Sequence, residues 1–145
     1  MKSMDLESIK ISMEQGVWST TYGPTRKLIE AIKGAHRQTI YLIFSVNESG
    51  GYQGFAKMLG KPDPKLKSHI FRREVDTIPY EANFPVEWKT KLMLYPFRNL
   101  NFFPLNPYNA NRTIMQSKNC QELPFAHGNY LVQELIGTQN KYKVV

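Results

Sequence analysis

Eight tyrosines, eight phenylalanines and two tryptophans stand in a chain whose 19 Lys and Arg outnumber 12 Asp and Glu, for a net charge of +7. The charge favours an anionic partner. Rings beside positive charge are what stacking on unpaired nucleobases requires, and the ring count exceeds what a core of this size needs. Lys57, Arg72 and Arg73 are candidate phosphate contacts on charge alone. Lys61, Lys65 and Lys67 read as solvated charge on a loop with two prolines. Catalysis would need a nucleophile with a base, paired carboxylates or a metal site. Cys120 has no sequence-adjacent partner, the acidic residues are dispersed among basic ones, and His36, His69 and His127 are scattered without zinc-ligand spacing. The pattern implies no metal and no cofactor.

The elements that must position these residues are organised around Thr39 to Met58. Ile40, Tyr41, Leu42, Ile43, Phe44 and Val46 form a run apolar and β-branched enough for a central strand. Asn47-Glu48-Ser49-Gly50-Gly51 supplies a turn, and Tyr52, Phe55 and Met58 restart an apolar pattern in which Gly54 permits close backbone approach or a bulge. Before this hairpin, Leu6, Ile9 and Met13 predict a short helix capped by Ser3 or Asp5 and ended by Gly16. Pro24 suits the first turn of a second helix carrying Leu28, Ile29, Ile32 and Ala35. Beyond the hairpin, Gly60 to Lys67 reads as a mobile, exposed loop, Phe84 to Trp88 as a strand, and Lys91 to Tyr95 as another cut short by Pro96. A last helix is predicted around Asn129 to Ile136, ended by Gly137, with a loose tail from Thr138 to Val145.

A chain of 145 residues fits a single domain, 1–145, with one core. Its one cysteine cannot form an internal disulfide and no run of eighteen apolar residues or secretory h-region is visible, which predicts a soluble, intracellular protein away from membranes. Strands mixed with two or three helices in this order predict a mixed α/β fold: a curved mixed sheet forming a small open barrel flanked by helices.

Gly16-Val17-Trp18-Ser19-Thr20, Leu42 to Gly50 and Tyr52-Gln53-Gly54-Phe55-Ala56 resemble the YTH domain family, readers of N6-methyladenosine in RNA. Asn83 to Trp88, Asn106-Pro107-Tyr108-Asn109 and Asn119-Cys120-Gln121-Glu122-Leu123 agree in order and spacing. The last two phrases are most similar to the YTH domain fused to the zinc-finger subunit of the cleavage and polyadenylation specificity factor in plants and apicomplexans. That resemblance implies a domain excised from a longer, nuclear protein, with cytoplasm as the alternative. It implies a non-enzymatic monomer bound to single-stranded RNA containing N6-methyladenosine, in company with other subunits of mRNA 3′-end processing. It also implies an aromatic cage. Trp18 falls on the first wall, Phe71 where the family has its second tryptophan, and Tyr80 on a variable third wall. Ser19 matches the position whose backbone carbonyl accepts the methylated amine's N–H; Ser8 and Met4 stand where relatives place polar or aromatic groups that contact the base; Lys2 and Lys118 match basic positions that meet phosphate. The other readings are a general RNA- or modified-DNA-binding barrel, an interaction module without its cage, in which Phe71 plugs the core, and a small RNA-modifying enzyme.

Overall fold

The computed structural model describes residues 1–34, 39–71, 81–101 and 104–144. In chain order the elements are β1 (Lys2–Ser3), α1 (Leu6–Gln15), β2 (Val17–Thr20), α2 (Tyr22–Gly34), β3 (Tyr41–Val46), β4 (Gly51–Tyr52), β5 (Gly54–Met58), β6 (Ala82–Trp88), β7 (Tyr95–Pro96), β8 (Leu105–Asn106), β9 (Arg112–Thr113) and α3 (Phe125–Thr138). Five strands make one sheet in the order β1-β3-β5-β6-β2. The β1–β3 pair is parallel and the rest antiparallel. The sheet curls into a half barrel, so the mixed, open barrel flanked by helices is the observed architecture.

Local chemistry sets the ends of α1. The Asp5 carboxylate accepts the Ser8 N–H at 2.8 Å, and Gly16 closes the helix in the left-handed region at φ 68°. The turn is immediate, so α1 links the two edge strands of the sheet, β1 before it and β2 after it. At Gly54, φ is +140° and a Cβ would lie 2.2 Å from Thr90 Oγ1, which accepts the Phe55 N–H. Only glycine lets the two segments meet there.

Buried side chains form two groups. One gathers Ile9, Trp18, Phe44, Phe71 and Phe84 beneath α1 and α2; the other gathers Tyr52, Phe55, Met93, Tyr95, Leu131 and Leu135 beneath α3.

Four expectations change. The last helix begins at Phe125 and runs through Gly137. Phe125 is exposed, so the first turn carries no apolar periodicity, and Gly137 keeps negative φ and does not stop the helix. The Lys91–Tyr95 strand shrinks to Tyr95–Pro96 plus a bridge at Met93. That bridge reaches Lys143, with Leu94 N–H on the Tyr142 carbonyl and Val144 N–H on the Leu92 carbonyl, so the tail is tied to the sheet instead of loose. The lysine loop is anchored as well: Asp63 bridges to Asn83, and the Asn83 amide donates to the Leu66 and Lys67 carbonyls.

Candidate functional site

The half barrel leaves a seam between its edge strands, β1 and β2, and a cavity of about 240 Å³ opens there. Lys2 and Met4 line it from β1 and just beyond, Ser8 from α1, Trp18 and Ser19 from β2, and Phe71 from the loop before β6. Its volume is below the ~300–1,000 Å³ of pockets for drug-sized ligands and on the scale of one base.

The ladder phase explains what β2 offers this cavity. Val86 donates its N–H to the Gly16 carbonyl, and the register then runs Val17↔Pro85, Trp18↔Phe84, Ser19↔Asn83. Antiparallel pairs alternate between hydrogen-bonded and non-hydrogen-bonded. Ser19 therefore falls in a non-bonded pair, and its N–H and C=O point away from β6. The other strand agrees: the Asn83 carbonyl, opposite Ser19, is turned away from β2 and accepts the Asp63 N–H at 2.8 Å. Proline at 85, which has no N–H to give, sits in the preceding non-bonded pair. The Ser19 hydroxyl is buried without a hydrogen-bond partner among the described residues.

Across the seam, the Lys2 N–H faces outward and donates to Asn119 Oδ1 at 2.9 Å. The Lys2 ammonium is half-buried, and loss of hydration pulls its pKa below the ordinary lysine value. Among the described lining residues Lys2 is the one ionisable side chain. The chemistry on offer is stacking and hydrogen bonding around one positive charge.

The rings form a column. Trp88 lies 4.4 Å from Phe44 between centroids, Phe44 lies 4.9 Å from Trp18, and Trp18 lies 5.6 Å from Phe71. Trp88 sits at the inner end as a half-buried core residue, its indole N–H donating to Ser12 Oγ at 2.9 Å. At the seam, Trp18 and Phe71 meet at 69° and form a corner, the edge-to-face arrangement that ring quadrupoles favour. Phe71 is 7% exposed, so it both belongs to the core and closes the cavity.

Of the residues singled out in the sequence, Lys2, Met4, Ser8, Trp18, Ser19 and Phe71 come together. Lys118 is exposed and precedes Asn119, which lines the cavity. Lys57 is not brought there; it sits in β5 opposite Glu87 of β6. Tyr80, Arg72 and Arg73 lie outside the described residues. Sequence reasoning missed Asn47 and Asn119 as lining residues. Asn47 reads as a turn residue, and it is the parallel pairing Ser3↔Val46, a contact distant in sequence, that carries it to the seam. Among the described residues no cluster of His, Cys, Asp or Glu could hold a metal ion, and no helix is long and apolar enough to cross a membrane.

Known proteins resemble this chain in sequence and in fold. Arabidopsis thaliana 30-kDa cleavage and polyadenylation specificity factor 30 is 35% identical over 137 residues, covering 93% of this chain and 21% of the relative. Methylated RNA-binding protein 1 of Saccharomyces cerevisiae is 31% identical over 97% of this chain and 44% of its own. The chain thus spans about a fifth of the Arabidopsis relative's length and less than half of the yeast relative's. The crystal structure of the Toxoplasma CPSF4 YTH domain in complex with a 7-mer m6A-modified RNA superposes with a TM-score of 0.79 at 33% identity, covering 94% of this chain and 87% of that one. The model of the YT521-B-like domain matches residues 1–136, nearly the whole chain, and the chain belongs to that YTH family.

Proposed function

We propose that this domain reads N6-methyladenosine in single-stranded RNA, with the seam cavity as its recognition site. The observation that carries the reading is the convergence of two rings, an outward-turned backbone carbonyl and one cation on a base-sized cavity. An N6-methyl group leaves one N–H donor and adds a small apolar surface. In this reading the Ser19 carbonyl accepts the N–H, and Trp18 and Phe71 surround the methyl, with Tyr80 as the third wall. Ser8, Met4 and the Asn47 amide meet the base edge. Lys2 and Lys118 meet phosphate, joined by Arg72 and Arg73.

Burying one methyl contributes roughly 0.8 kcal/mol, and contact with ring faces raises this to about 1–2 kcal/mol, a preference of order tenfold over plain adenosine. Stacking of the base, about 1–3 kcal/mol per ring, acts on both forms. Methyl selectivity is therefore modest by construction, and phenylalanine at the second wall keeps it below that of a two-tryptophan cage. The nucleotide must leave any stack to enter, which selects single strands. Within its whole protein the domain serves mRNA cleavage and polyadenylation, as the name of the Arabidopsis relative suggests, and that work belongs to the nucleus. Its role there is binding without catalysis.

Calorimetric titration with a short RNA carrying one central adenosine, methylated or not, tests this. Tighter binding of the methylated strand, lost in Trp18→Ala, is expected. Equal binding of both strands that weakens steeply with salt would instead identify a general RNA-binding surface.

A further inference from the structure

The second ring of the cavity sits at the end of a segment with no strand of its own. From Pro64 to Phe71 the backbone is turns, and Phe71 must nonetheless be delivered against Trp18 at 5.6 Å. Asn83 ties that segment down. Its carbonyl accepts the Asp63 N–H at 2.8 Å, and its side-chain amide donates to Leu66 O at 2.9 Å and Lys67 O at 2.8 Å. Both protons of one NH₂ group hold consecutive carbonyls. Lys67, at φ 42°, is in the left-handed region that side-chain-bearing residues seldom adopt, and its carbonyl also accepts the Ile70 N–H at 3.2 Å, closing a turn that ends one residue before Phe71. The Lys67 ammonium adds a clasp on the last carbonyl of α1, Gln15 O, at 2.9 Å.

Asn83 is rigidly placed. It is 5% exposed and lies in β6, between Asp63 of the loop on one side and Ser19 of β2 directly opposite on the other. Phe84, the next residue, points to the opposite face and into the core, as strand alternation requires. Asn83, Ser19 and Phe71 border the same small void, of about 20 Å³, behind the ring corner. Asn83 is not among the residues lining the recognition cavity itself.

We infer that Asn83 is a positioning residue for base recognition: by holding the Leu66 and Lys67 carbonyls it fixes the register of the loop that carries Phe71, and so couples the second ring to the strand pair that presents Ser19. The inference rests on the reading of the seam cavity as a methyladenosine cage. Positioning and contact are thereby separate, because Asn83 lies outside the cavity lining while Phe71 forms part of it.

The test compares Asn83→Ala and Asn83→Asp with Asn106→Ala. Asn106 is equally buried and also holds a turn, donating to Glu122 O at 2.8 Å and capping the Tyr108 N–H at 2.9 Å, away from the cavity. Three quantities are read: affinity for methylated and unmethylated strands, amide hydrogen exchange of residues 63–71, and thermal midpoint. Both Asn83 variants are expected to bring the roughly tenfold methyl preference close to parity and to speed exchange at residues 66–71. Asn106→Ala lowers the midpoint and keeps the preference. A preference retained in Asn83→Ala, or both affinities falling by the same factor, overturns the inference. If the unaltered protein does not discriminate at all, it is the cage reading that fails. Loop exchange then decides for Asn83, faster exchange in Asn83→Ala supporting the anchor and unchanged exchange overturning it.

Discussion

The two buried groups of this domain are equally rich in rings and meet opposite fates. Around Trp18, Phe44, Phe71 and Phe84 the column ends at the seam between β1 and β2, where backbone groups are turned outward and a cavity opens. Around Tyr52, Phe55, Tyr95 and Leu135 the rings are roofed by α3, and their polar tips turn inward: Tyr95 Oη bonds Asn99 O at 3.0 Å and the Glu134 carboxylate at 3.1 Å. Aromatic content alone therefore does not mark a binding face. A ring becomes available to a base where the sheet's hydrogen bonding is interrupted beside it.

Truncating one buried side chain in each group gives the largest effects and the sharpest break. Trp18→Ala removes the first wall. With stacking of about 1–3 kcal/mol per base, affinity for RNA falls roughly five- to more than a hundredfold. The same change also costs about 3–5 kcal/mol of stability, since Trp18 packs on Phe44, so Trp18→Phe is the folded companion and should retain part of the affinity. Leu135→Ala, on the closed side, costs about 2–5 kcal/mol of stability and leaves the affinity of the folded fraction unchanged. Calorimetry paired with thermal melts distinguishes the two. A loss of methyl preference in Leu135→Ala would dissolve the contrast.

Phe71→Leu refines it by keeping apolar volume and removing the ring. The methyl preference should drop from about tenfold to about threefold while the melting midpoint moves little. If the preference is unaffected, Phe71 serves only the core.

How much of this was legible beforehand differs along the chain in the same way. The ends of α1, the Tyr41–Met58 hairpin and the strand through Trp88 follow from caps, glycines and alternation, which are local signals. Trp18 and Phe71 were found through phrases of sequence resembling a family, and the structure brings them together. Asn47 and Asn119 were not found, because their place depends on a parallel pairing of β1 with β3 and on a side chain from residue 119 reaching residue 2. Such contacts leave no mark at short spacing. The anchoring of the lysine loop was hidden for the same reason: its composition is that of a mobile loop, and the amide that holds it lies in another strand.

Charge at the seam provides a smaller handle. Replacing Lys2 or Lys118 by Met should reduce the salt dependence of binding by about 0.7 in log–log slope for each phosphate that is no longer neutralised, without altering methyl preference. Lys2 also carries a pH signature. Burial lowers its pKa in the free protein, and a bound phosphate favours the charged form, so binding takes up a proton. Affinity should therefore decline on the alkaline side at a pH below ordinary lysine titration, and the decline should vanish in Lys2→Met. The same slope persisting in Lys2→Met would mean that another group titrates.

The smallest effect lies on the closed side. Burial pushes the Tyr52 hydroxyl well above the usual tyrosine range, with Tyr130 nearby adding to the shift, and that hydroxyl has no hydrogen-bond partner among the described residues. A raised folded-state pKa means that the folded domain keeps the proton where the unfolded chain gives it up. The resulting contribution is complete below the unfolded value of about 10 and is lost as pH climbs from there toward the folded value. Phenylalanine keeps the ring against Phe97, 4.8 Å away, and removes the orphaned oxygen. Tyr52→Phe should thus match or slightly exceed the wild-type stability at neutral pH, by up to about 1 kcal/mol, and should unfold less steeply with pH above about 10. Denaturant midpoints measured across that range decide it. An alkaline slope equal to that of the unaltered protein would place the titrating group elsewhere, with Tyr95, whose pKa burial and Glu134 also raise, as the next residue to change.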